Sequence, residues 1–141
     1  MNIDCEVSLK SLLFVAEGLE QLIGQHGAQA VLRSAGQRAS ANLIEMLPLT
    51  LPEDESARRS GMLLVELGFL AGLELSTSNE LRVTGNHVLE EMQNLGLAGC
   101  QCVRFYVVGL FEGFYKQMSG SKKKVVSVME TGENSEIWRL E

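Results

Sequence analysis

The chain has two prolines, three cysteines and two histidines in 141 residues, and aromatic side chains make up 6%. Each scarcity excludes something. An odd set of cysteines, Cys5, Cys100 and Cys102, is not a disulfide framework. Cys100-Gln101-Cys102 lacks the two-residue spacing of zinc ribbons and thioredoxin-like redox sites. A metal site gathering Cys100, Cys102, His87 and a carboxylate is the arrangement left open, but free cysteines are ordinarily small buried hydrophobes, so no metal is expected. No apolar run approaches the roughly 18 residues of a membrane span, and no charged-then-apolar leader opens the chain. The expected location is the cytoplasm, with no transmembrane segment. Basic residues number 12 against 18 acidic, a net charge of −6, which lacks the footprint of a general nucleic-acid binder. Neither a dinucleotide fingerprint nor a phosphate loop occurs in the sequence.

What remains is ordinary globular material, with 45% hydrophobic and 21% charged residues. A chain of this size buries roughly two-thirds of its unfolded surface, enough for one domain over residues 1–141. Ser8 and Gly24 bracket a helix whose stripe is Leu9, Leu12, Leu13, Ala16, Leu19, Leu22 and Ile23. After a connector at 25–27, a second helix runs from Ala28 to Leu47, with Ala35, Gly36 and Ala39 allowing another element close. Its Arg33, Arg38 and Glu45 read as a solvated face. Pro48 stops that helix. Pro52 then suits the first turn of a third, acidic at Glu53, Asp54 and Glu55, which runs to about Leu70. Its Gly61 and Gly68 suggest close packing.

Alternation at Leu73–Ser76 and Leu81–Thr84, around a turn at 77–79, predicts a hairpin. Residues 85–99 give no clear period. Cys102 to Met118 reads as a helix apolar nearly all round, hence buried on most faces. Val125–Thr131 and Ile137–Leu140 are strands about a turn at 132–134. Antiparallel hairpins among helices define an α+β fold: about four antiparallel strands, N-terminal helices and one long buried helix.

Gly109-Leu110-Phe111-Glu112-Gly113, Ser119-Gly120 and Val125-Val126-Ser127-Val128-Met129-Glu130-Thr131 together resemble the 4-vinyl reductase domain family. The likeness is most specific over residues 100–141, with the alanine- and glycine-rich helix of 27–47 also similar. It implies the ligand-binding fold shared with TRAPP vesicle-tethering subunits, a small hydrophobic ligand such as a tetrapyrrole, hydrocarbon or lipid, and a homodimer. Some family members are linked to chlorophyll metabolism and photosystem assembly. The chain departs from the family where cysteines are usual. Arg104 stands five residues before Gly109, with Cys102 two residues earlier, and Glu130-Thr131 is followed by Gly132-Glu133.

The candidate ligand-binding residues are Cys102, Phe105, Tyr106, Gly109, Leu110, Gly113, His87 and Glu130; none is assigned a catalytic role. Gly109 and Gly113 share a helix face, which serves either close backbone contact or room for a ligand tail. Phe105 and Tyr106 line a pocket or belong to the core, as do Phe111, Phe114 and Tyr115. Phe14 and Phe69 read as core. His87 reads as a turn residue or a tetrapyrrole ligand. Glu130 shares a face with Val126 and Val128 and needs a cationic partner, Arg104 or Arg139. Lys122-Lys123-Lys124 reads as a solvated loop, with peripheral contact to anionic lipid as the alternative. Two functions follow: a non-catalytic binder of a hydrophobic molecule (carrier, sensor or assembly factor), or a dimeric protein-interaction scaffold without ligand.

Overall fold

The structure, a computed structural model, describes residues 3–43, 50–77, 79–97, 102–132 and 134–141, with side chains from residue 10 onward. The expected stop at Leu47-Pro48, the cap at Ser8, and Cys5 and Cys100 lie outside the described residues or side chains.

The first two expected helices form one run, α1 (Ile3–Leu43), bent at Gly24, whose φ of 83° and ψ of 169° are non-helical. Glycine tolerates that φ without a Cβ clash, so the break takes one residue, and 25–27 are helical rather than a connector. The buried row beyond the bend is Ala28, Leu32, Gly36 and Ser40, spaced by four. Val31 and Ala35 lie about 100° round the helix from that row and are exposed. Before the bend Leu13 and Ala16 are buried, but Leu22, Ile23 and Phe14 are not. The expectation of a core Phe14 is therefore wrong; Phe69 is partly buried against the core.

α2 (Glu53–Glu66) has Pro52 at its N-cap and three acidic residues in its first turn, facing the positive end of the helix dipole. It ends four residues before the expected Leu70, because Gly68 turns the chain with φ 85° and Leu70 already begins a strand. Gly68 is thus a terminator. Gly61 is the packing glycine: a Cβ there would stand 2.8 Å from the Leu73 side chain.

β1 (Leu70–Thr77) and β2 (Glu80–Asn86) form the first hairpin; β3 (Val125–Gly132) and β4 (Ser135–Leu140) form the second. The sheet is antiparallel in the order β1-β2-β4-β3. Leu81, Val83, Trp138 and Leu140 point inward and are buried, while Arg82, Thr84 and Arg139 alternate outward. The aperiodic stretch contains α3 (His87–Asn94), capped by Asn86, whose side chain accepts from Val88 N and Leu89 N at 3.2 and 3.4 Å.

α4 (Arg104–Ser119) is the expected buried helix, closed by Gly120 at φ 68°. It is held against the sheet by Phe111, edge-on to Trp138 at 5.8 Å, and against α1 on its other side. The chain is an α+β protein with its core around α4.

Candidate functional site

The glycine face of α4 is occupied by protein. A Cβ on Gly109 would come closer than 3.0 Å to the Arg33 carbonyl, and one on Gly36 would meet the Tyr106 carbonyl as closely. One on Gly113 would strike Ser40 Oγ. The two helices touch backbone to backbone, which only paired glycines permit. Leu110 is fully buried beside them. The Cys102 Sγ is buried and donates to the Ala16 carbonyl at 3.6 Å. Phe105 and Tyr106 are half-buried at the first turn of α4, with Tyr106 6.1 Å from Phe69, ring to ring. Burial pushes the Tyr106 phenol up from its ordinary value.

Glu130 and Arg104 do come together. Arg104 donates to Glu130 Oε1 at 2.7 Å and forms a second ion pair with Glu136, which also accepts from Trp138 Nε1 at 3.2 Å. Arg104 is 8% and Glu136 2% exposed, whereas Glu130 reaches the surface. The register explains Glu130: it pairs with Glu136, and Val128 with Trp138, so both lie on the sheet face that carries Glu136 and Trp138, Glu130 at its solvent edge. A bulge between Val125 and Ser127 turns Val126 outward, so the expected face-sharing with Val126 is corrected. A cavity of about 410 Å³ opens over this triad, also lined by Glu90, Met92, Gln93 and Asn134. His87 is not in a turn; it begins α3, and its Nδ1 lies 3.0 Å from Glu90 Oε2. Glu90 in turn accepts from Asn134. His87 therefore borders the cavity through Glu90 and does not meet the α4 residues.

The sequence reading missed Arg33, which is not on a solvated face. Its Nε and guanidinium NH₂ donate to the two oxygens of Glu112 at 2.7 and 2.5 Å, and that NH₂ also donates to the Val125 carbonyl at 2.6 Å. Gln37 Nε2 and Val125 N donate to the same carboxylate at 3.1 and 3.0 Å. A fork-on-carboxylate pair of this geometry ties α1, α4 and β3 at one point. The available signal was Glu112 itself, a carboxylate in an apolar helix that requires a partner.

Part of α1 faces outward without a packing partner among the described residues. Phe14, Val15 and Leu22 are 55%, 57% and 83% exposed, and Gly18 lies between them with nothing within 4 Å of an added Cβ. At spacings of three and four they form a single apolar stripe along the first half of the helix.

Among the described residues, no three His, Cys, Asp or Glu side chains gather as a metal site, and no helix is long and apolar enough to cross a membrane. No protein-family model matches the chain, and no curated protein matches it.

Proposed function

We propose that the protein is a dimeric interaction module that associates through the first half of α1. The observation that carries this is the exposed stripe of Phe14, Val15 and Leu22 around Gly18. A two-fold interface is self-complementary. Two copies of this helix crossing antiparallel at Gly18 put Phe14 of one against the partner's Leu22, with Ser11 and Gln25 at the rim. Glycine at the crossing lets the backbones approach. Covering the three exposed side chains on each copy gains roughly 6–12 kcal/mol gross, against an association cost of about 4–15. The favourable ends of both ranges, about 12 against about 4, leave roughly 8 kcal/mol, which is a reversible dimer in the micromolar range. The family resemblance of residues 100–141, which implies homodimers, agrees with this scaffold reading.

Light scattering across about 1–100 μM tests it. The apparent mass should double with concentration, and Leu22→Glu should hold it at the monomer value with unchanged circular dichroism. A wild-type monomer throughout, or a Leu22→Glu dimer of unchanged strength, overturns the proposal.

A second reading, binding of a hydrophobic molecule, is favoured by the half-buried Phe69, Phe105 and Tyr106 at the start of α4. Organic extraction and mass spectrometry of the same preparation test it. A stoichiometric pigment or lipid supports it, and a clean extract leaves the dimer reading alone.

A further inference from the structure

A second cavity, of about 760 Å³, lies between α1, the last turns of α4 and residues 120–124. Its floor is Ser40, Gly113 and Gln117, and its rim carries Lys116, Lys122, Lys123 and Lys124. In a chain of net charge −6 this is a local reversal of sign. Lys123 is committed to Glu53, at 2.7 Å. Lys116, Lys122 and Lys124 make no ion pair among the described residues. Among the described residues Glu112 is the one carboxylate in the lining, and Arg33 neutralises it.

The lysines sit on a braced loop rather than a loose one. Lys124 N donates to the Glu141 carbonyl and Glu141 N to the Lys124 carbonyl, at 2.7 and 2.9 Å. Ser121 N donates to Ser119 Oγ at 3.0 Å, and Lys123 N to Ser121 Oγ at 3.2 Å. Such bracing lowers the ordering cost of binding.

The floor is hydrogen-bonded within itself. Ser40 Oγ donates to the Gln37 carbonyl at 2.7 Å and accepts from Gln117 Nε2 at 3.2 Å. That fixes the Gln117 amide, whose Oε1 is sealed from solvent and has no hydrogen-bond partner among the described residues. Among the described residues no aromatic side chain lines the cavity, so a nucleobase has nothing to stack on.

We propose that this groove binds a multiply phosphorylated small molecule or headgroup, its phosphates on Lys116, Lys122 and Lys124. The volume falls in the ordinary range for small-molecule sites. The same headgroup chemistry occurs on a soluble sugar or inositol phosphate and on a phosphoinositide.

Titration calorimetry with inositol hexakisphosphate, and co-sedimentation with phosphatidylcholine vesicles containing phosphatidylinositol phosphate, separate the two sources. Binding of the soluble probe without co-sedimentation identifies a free phosphate ester. Co-sedimentation that the soluble probe competes away identifies the lipid headgroup. In either case Lys122→Ala/Lys124→Ala should weaken binding by about tenfold or more. Raising salt from about 50 to 200 mM should weaken it further. Absence of binding in both arms, or unchanged binding by the double variant, overturns the site.

Discussion

Gly109→Ala should destabilise the protein although alanine is the better helix former. In an exposed helix the exchange would gain about 1 kcal/mol of propensity. Here the added methyl would come closer than 3.0 Å to the Arg33 carbonyl, and its obstacle is backbone, which cannot rotate aside. Overpacking in a filled interior costs about 1–3 kcal/mol, and a rigid obstacle places this case at or beyond the upper end. After the propensity gain, a net loss of about 2 kcal/mol remains. Each kcal/mol moves the midpoint of a chain this long by about 3 °C, so a fall of roughly 6 °C is expected. Gly18→Ala is the control, since its Cβ would meet nothing within 4 Å, and at low protein concentration it should gain up to about 1 kcal/mol. Urea unfolding followed by circular dichroism reads both. A Gly109→Ala protein as stable as wild type would refute the close α1–α4 contact, and with it the claim that the glycine face of α4 is filled by protein.

Arg104→Met should cost about 3–5 kcal/mol, because it leaves the buried Glu136 with Trp138 Nε1 as its remaining donor; Arg104→Met/Glu136→Leu should recover most of that loss in the same urea assay. The alkaline limb of stability should carry a tyrosine signature. Burial pushes the Tyr115 phenol up, and the Tyr106 phenol likewise. The unfolded chain releases these protons near pH 10 while the folded chain still holds them. Their contribution is therefore complete below about pH 10 and is lost as pH rises towards the folded values. Tyr115→Phe should flatten that decline, and an unchanged slope of the urea midpoint against pH would remove Tyr115 as its source.

Elements with a strong period were readable from sequence, and those defined by tertiary partners were not. α4 declares itself through the apolar run Phe105–Phe111, and the β3–β4 hairpin through β-favouring residues on either side of a glycine-containing turn. α3 does not: it spans eight residues and buries Val88 and Met92 alone, and its Asn86 cap is recognisable only once β2 is known to end there. Arg33 and Arg38 look equivalent in sequence, five residues apart on one helix. Which one meets Glu112 depends on the angle at which α1 crosses α4, set by Gly36 against Gly109.

The bend at Gly24 gives the two halves of α1 different tasks. Beyond it, Gly36 and Ser40 press against α4 so closely that Arg33 can reach across to Glu112 and Val125, and the wall of the lysine-rimmed groove is set by the same contact. Before it, the helix buries Leu13 and Ala16 and leaves Phe14, Val15 and Leu22 outside. A helix kept straight through residue 24 would continue one packing row along its whole length. The non-helical φ and ψ of Gly24 break that continuity, so the stripe on the first half need not follow the row that faces α4. Changes on the two sides of the bend should therefore separate: Leu22→Glu should alter association without touching the groove, and Lys122→Ala/Lys124→Ala should alter anion binding without altering the mass.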